Sequence, residues 1–290
     1  MNRSSVYGVF AGLAAASIWG GMYVVSKAVM EVIPPYLLLT LRLLLGILAL
    51  YLAITFSGGL KVTRRHFWQL FGIGFVGYGI SVGLQFVGTN LSTASNGSLV
   101  TSATPAFVLV FAALLLGEKI TWRRLVALLV ASLGVLAVID PRTAQLSPDL
   151  FIGNLALVGA ALTWALYSVL VRKATRNVDV LTASLIAFIG GLPVSLPLGA
   201  WEASIQVLGI ITPGVIAGVL FIGIISTALA MHLWNSAFAI LDAGVASLTF
   251  FAQPVVGALL GWLFLGEIIT PLFLIGGVLI GIGILISGFS

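Results

Sequence analysis

Cysteine is absent from the 290 residues, and charge is scarce: 13 Lys and Arg with 8 Asp and Glu make up only 7% of the chain. The missing thiols exclude disulfides, thiolate-bound metals, iron–sulfur clusters and a cysteine nucleophile. The missing charge excludes more. A soluble domain carries about 25% charged and roughly 45–50% apolar residues. Here apolar residues reach 60%, and the few ionisable groups cannot cover a water-facing surface. Disorder needs the opposite bias. No G-x-x-x-x-G-K-[ST] phosphate loop occurs, which removes that route to ATP-driven work. What is left is a chain built around a lipid bilayer.

Crossing about 30 Å of hydrocarbon takes roughly 20 residues as a helix. Charge-free runs cover 4–26, 43–60, 66–117, 125–139, 150–171, 180–201, 203–241, 243–266 and 268–290. The run 66–117 is too long for one crossing and breaks at Gly88-Thr89-Asn90. Pro34-Pro35 opens the second helix, and Pro213 opens the eighth, a first-turn use of proline. The pattern predicts an all-α membrane protein of ten helices: 5–28, 35–56, 67–87, 93–116, 122–139, 151–172, 180–200, 213–236, 243–265 and 271–289. A barrel would show alternating segments of about ten residues, and these runs are continuous.

With the N-terminus inside, ten basic residues fall on the cytoplasmic side (Arg3, Lys61, Arg64, Arg65, Lys119, Arg123, Arg124, Arg172, Lys173 and Arg176). Two, Lys27 and Arg142, fall outside, and Arg42 lies within a span. This bias is the expected topology signal. The net charge of +5 is therefore read as orientation with a contact to lipid, not as a nucleic-acid footprint. Both termini are expected in the cytoplasm. The first apolar run spans and shows no cleavage site of a secretory signal.

The halves resemble each other. Residues 103–121, ATPAFVLVFAALLLGEKIT, align with 252–270, AQPVVGALLGWLFLGEIIT, at an offset of 149 with eight identities. Near the starts of the halves, Ala15, Ala16 and Trp19 match Ala160, Ala161 and Trp164 at an offset of 145, and Lys27 meets Arg172. Five helices per half is an odd number, so the second half enters from the opposite face. Residues 1–145 and 146–290 are thus expected to form an inverted repeat. Such repeats are typical of transporters that hold substrate near the midplane and rock one bundle against the other.

Ten spans, Trp19-Gly20 in the first, Pro105 and Pro254 within the fourth and ninth, and Leu116-Gly117-Glu118 mirrored by Leu265-Gly266-Glu267 resemble the EamA family of the drug/metabolite transporter superfamily. The resemblance runs over essentially the whole chain. It implies a non-enzymatic exporter of small metabolites, often amino acids, in a bacterial cytoplasmic (inner) membrane. Similarity to the aromatic amino-acid exporters of that family makes Phe, Tyr and Trp the first substrates to consider.

Polar groups inside hydrocarbon are costly and mark candidate sites. They are Tyr78, Ser81 and Gln85 on the third span, Asn96, Ser98, Thr101 and Thr104 on the fourth, His232 and Asn235 on the eighth, and Thr249 and Gln253 on the ninth. Trp19 and Tyr23 share a face with Ala16, and Trp164 one with Ala161, leaving room beside an aromatic wall. Pro105 and Pro254 each remove a backbone donor and are candidate hinges. Gly117 suits a left-handed helix end and Thr121 an N-cap. Glu118 and Glu267 are expected to organise loops or gates, Glu118 through Arg123.

Arg42 lies about 12 Å along its helix. It is expected either to snorkel and anchor the helix or to face an anion or a gate. No Asp or Glu lies near mid-span, which favours a net-neutral zwitterion over a cation. The alternative is a proton-coupled multidrug exporter with His232 carrying the proton. No metal and no cofactor is expected. The partners expected are the substrate and the bilayer, in a monomer or a weak homodimer joined through Gly277-x-x-x-Gly281.

Overall fold

The computed structural model describes residues 3–57, 59–92, 97, 100–139, 150–265 and 271–288. Among these residues there is no strand, and ten helices follow one another. They are α1 (Arg3–Met30), α2 (Pro35–Phe56), α3 (Arg64–Leu91), α4 (Thr104–Leu116) and α5 (Trp122–Ile139). The second set is α6 (Phe151–Ala174), α7 (Val180–Ile205), α8 (Pro213–Ile240), α9 (Ala243–Leu248, a 3-10 turn at Thr249–Phe251, then Ala252–Leu265) and α10 (Pro271–Gly288). Six of them (α1, α2, α3, α6, α7 and α8) are long and apolar enough to cross a membrane. Helices are the natural answer here, because a span in lipid must satisfy its backbone internally.

Local chemistry sets the ends. Thr63, Asp179 and Thr212 accept from the backbone N–H groups of His66, Thr182 and Val215 at the starts of α3, α7 and α8. Thr121 does the same for Arg124 at the start of α5. Pro34 offers α2 no side-chain cap, and Glu202 of α7 replaces it by accepting from the N–H groups of Tyr36 (2.7 Å) and Leu37 (3.0 Å). Gly117 ends α4 with φ 69°, the left-handed turn expected there.

Four helices are irregular, α3 and α8 in one way and α4 and α9 in another. π-helical turns interrupt α3 at Phe75–Ser81 and α8 at Phe221–Leu229. The regular part of α4 begins at Thr104, with Pro105 in its first turn, whereas the sequence placed this proline inside a longer helix. In α9 a 3-10 turn directly precedes the Pro254 segment. A proline ring excludes the carbonyl four residues back, so each chain tightens or turns just ahead of it.

Packing has the same order. α1 packs on α8 and α9, while α6 packs on α3 and α4. α2 packs on α7 and α8, α7 on α3, and α5 on α10. Exchanging α1–α5 for α6–α10 maps each of these contacts onto another or onto itself. The α1–α9 approach is close: a Cβ on Gly20 would sit 2.7 Å from the Gln253 carbonyl oxygen. Trp68, Trp122 and Trp201, near helix ends, are exposed, as expected of side chains at membrane interfaces. A Cβ added at Gly277 or Gly281 would meet nothing within 4 Å, so among the described residues neither glycine serves close packing within the chain.

Candidate functional site

A cavity lies where the halves meet. It is bordered by Trp19 and Met22 of α1, Arg42 of α2, Ser81, Val82 and Gln85 of α3, and Thr101 and Thr104 at the entry to α4. The second half contributes Ala160, Ala161 and Trp164 of α6, Met231 of α8, and Phe250 and Gln253 of α9. Its volume, counted as space open to the centre of a water molecule, is about 30 Å³. One water needs at least about 10–15 Å³ by that measure. The void has room for about two waters, so an amino acid fits only if the walls part.

Trp19 and Trp164, matched in the sequence at an offset of 145, touch edge to face with ring centroids 5.8 Å apart. The small side chains of Ala160 and Ala161 leave the space beside them. The two indoles are not equivalent. Trp19 donates from Nε1 to the Ser226 carbonyl (3.0 Å) in the π turn of α8, which fixes its ring. Trp164 is buried, and its Nε1 donates to nothing. Behind Trp164, Tyr167 stacks at 4.7 Å and Tyr78 lies edge-on at 6.0 Å.

Of the other expected site residues, Gln85, Thr101, Thr104 and Gln253 border the cavity. Tyr23 stands just behind them, accepting from Gln85 Nε2 (2.6 Å) and pairing with Thr101 Oγ1 (3.1 Å). Tyr78 and Asn235 are brought together elsewhere. Tyr78 pairs with the Tyr167 hydroxyl (2.7 Å), which meets the Asn235 amide, and Asn235 Nδ2 donates to Ser184 Oγ (2.9 Å). These groups satisfy one another and do not border the cavity. His232 is half-buried away from it, with Nδ1 unpaired. Asn96 and Glu267 lie outside the described residues.

Arg42 corrects the expectation that it snorkels. Its side chain is 1% exposed, and the guanidinium turns inward over the Phe86 ring, 5.2 Å from the centroid. Nε donates to Thr227 Oγ1 (2.8 Å), while Nη1 and Nη2 have no partner. The Thr227 hydroxyl donates onward to the Ile222 carbonyl (2.7 Å), so the π turn of α8 holds both Arg42 and Trp19. The chamber therefore carries a fixed positive charge. Ser226 and Thr227 are polar groups in mid-span that sequence reasoning passed over, although the expense of burying such groups marked them.

A second cluster gathers at one end of the helices. Glu118 pairs with Arg124 (3.3 Å) and Arg172 (3.1 Å). Asp242 pairs with the same two arginines. The partner of Glu118 is thus Arg124 and Arg172, not the expected Arg123. One residue along a helix turns the side chain by about 100°, and position 124 faces the bundle. Glu118 also accepts from the backbone N–H of Ala243 (2.9 Å), capping α9. Two acids and two arginines thereby tie α4 and α5 of the first half to α6 and α9 of the second. Among the described residues, no group of His, Cys, Asp and Glu could hold a metal ion.

Comparison with known proteins gives this architecture its class. The EamA-like transporter family matches twice, over residues 6–139 and 151–289. The chain belongs to that family. The probable amino-acid metabolite efflux pump of Salmonella typhimurium is 26% identical over 97% of this chain and 94% of its own length. Protein PecM of Dickeya dadantii is 27% identical, over 92% and 87%. The uncharacterized transporter YetK of Bacillus subtilis is 27% identical, over 90% and 80%. A crystal structure with 20% identity superposes with a TM-score of 0.81 over 99% of this chain and 97% of that one, a likeness of fold.

Proposed function

We propose that this EamA-family protein is a secondary transporter that exports amino acids, aromatic ones first, across a bacterial inner membrane by alternating access. In this reading residues 1–145 and 146–290 form two inverted five-helix repeats with both termini cytoplasmic. The observation that carries it is the cavity shared by the two halves, walled by Trp19 and Trp164 and bordered by Gln85, Thr101, Thr104 and Gln253. The exchange symmetry of the helix contacts and the doubled family match support the repeat. The efflux role named for the Salmonella relative supports export.

Aromatic walls take an aromatic side chain, and nearby polar groups take the ends of a zwitterion. Pro105 and Pro254, where α4 and α9 turn irregular, are the proposed hinges. Glu118, with its two arginines, is the proposed gate. Tyr78 and Asn235 act from behind the wall by holding Tyr167. The proton-coupled cation exporter fits less well, because Arg42 puts a positive charge where a cation would bind and His232 stands away from the cavity.

Liposomes carrying the purified protein and loaded with labelled L-phenylalanine test the reading. Protein-dependent release, competed by Tyr and Trp, is the expected result. No protein-dependent release of any aromatic amino acid removes that substrate class.

A further inference from the structure

Three buried side chains that border the same cavity carry donors without a good hydrogen-bond partner. In Arg42, 1% exposed, Nη1 and Nη2 have no partner, and in Trp164, 8% exposed, Nε1 has none; Gln253 is 2% exposed, and its amide stands beside the Tyr23 hydroxyl without a well-formed hydrogen bond from Nε2. Other polar groups along this wall are already engaged. Trp19 donates to Ser226, Ser81 to the Ala160 carbonyl, Gln85 to Tyr23 and Thr104 to the Thr101 carbonyl. The wall is thus left with donors seeking an acceptor, and one of those donors is a cation.

An unpaired buried guanidinium is expensive, and among the described residues no carboxylate forms an ion pair with Arg42. Its Nε is already committed to Thr227, which leaves the outer edge of the fork, Nη1 and Nη2, free. A planar pair of N–H groups matches the two oxygens of a carboxylate. The cavity volume of about 30 Å³ is room for roughly two waters, about the bulk of one carboxylate group. Arg42 and Trp164 carry the argument more firmly than Gln253, because neither can present an acceptor at that point, whereas an amide can turn its oxygen inward.

We infer that Arg42, with the indole N–H of Trp164 and the amide of Gln253, forms the site for the carboxylate of the transported molecule, so that the protein selects organic acids and rejects their amides and amines. The inference rests on the chamber being the substrate site, as in the proposed function, but not on the substrate being an amino acid. Arg42 comes from the first half, and Trp164 and Gln253 from the second. One carboxylate therefore bridges the halves and biases them towards the closed form.

Acid and amide pairs test it directly. Binding to the full-length protein in nanodiscs is measured for L-phenylalanine and L-phenylalaninamide, L-leucine and L-leucinamide, and phenylpropionate and phenylpropionamide, with sodium chloride as a separate probe. Each acid that binds should do so about 100-fold more tightly than its amide, as expected for charge-assisted hydrogen bonds to a buried cation. Arg42→Gln should reduce that ratio to near one, and Arg42→Lys should keep part of it. Should Arg42→Gln fail to fold, Trp164→Phe keeps the ring, loses one donor, and should cut the ratio several-fold.

If phenylpropionate binds through Arg42 while no amino acid does, the amino-acid reading falls and this inference stands. If phenylalanine and its amide bind alike, or Arg42→Gln leaves the ratio unchanged, this inference falls and the amino-acid reading stands. Equal effects of chloride and of the acids assign the site to an inorganic anion and overturn the proposal, as does the absence of binding by every acid.

Discussion

Replacing Glu118 by Gln should open one end of the transporter. The carboxylate receives Arg124 at 3.3 Å, Arg172 at 3.1 Å and the Ala243 N–H at 2.9 Å. Both arginine side chains are largely shielded, 9% and 14% exposed. Hydrogen bonds to charged groups contribute about 1.5–3 kcal/mol each. An amide keeps one acceptor, and Asp242 still pairs with both arginines, so the net loss to the closed form is about 2–3 kcal/mol. That corresponds to about a 30- to 150-fold rise in the open fraction.

The absence of cysteine makes the assay clean, because Val82→Cys puts a single thiol in the chamber wall. When opening is fast relative to labelling, the rate of modification by a membrane-impermeant thiol reagent follows the open population. In inverted vesicles, with the predicted cytoplasmic face outside, Glu118→Gln should speed labelling by that factor and leave labelling from the opposite face unchanged or slower. An unchanged rate, or equal acceleration from both faces, refutes the reasoning that this cluster is a gate.

Three further outcomes follow from the packing. Trp19→Phe removes the hydrogen bond to the Ser226 carbonyl and should cost about 0.5–1.5 kcal/mol, whereas Trp164→Phe removes an unpaired donor and should cost less; melting of the two variants in detergent compares them. Gly74→Ala should abolish folded expression, since its Cβ would overlap the Ala187 backbone, while Gly277→Ala, with nothing within 4 Å, should express normally. Asn235→Ala unties Tyr167 and Ser184 and should lower the melting temperature, and it should raise the substrate KM less than Trp164→Ala does, because Asn235 reaches the wall only through Tyr167 and does not border the cavity.

Helix count and most boundaries were legible because the bilayer fixes span length and charged residues punctuate it. α2 and α5 start and stop at the residues expected, and the caps at Thr121 and Gly117 act as read. Which faces meet was not legible. Spans apolar on nearly every side give little amphipathic pattern to say which side turns inward, so Arg42 could be read as reaching for lipid. The π turns were hidden for a related reason: they follow from how α3 and α8 pack, as Thr227 shows by holding both Arg42 and the Ile222 carbonyl. Trp19 and Trp164 were paired by repeat arithmetic, yet only the fold distinguishes the spent indole N–H from the free one.

The central claim is that the two halves sit in the membrane in opposite senses around one chamber. Lys61, in the segment between α2 and α3, and Val207, in the segment between α7 and α8, occupy corresponding connections and are both exposed. Single Lys61→Cys and Val207→Cys variants in right-side-out cells, treated with an impermeant thiol reagent, decide the matter. The account predicts that Val207→Cys labels from outside and Lys61→Cys only after the membrane is opened; labelling of both from the same face contradicts it.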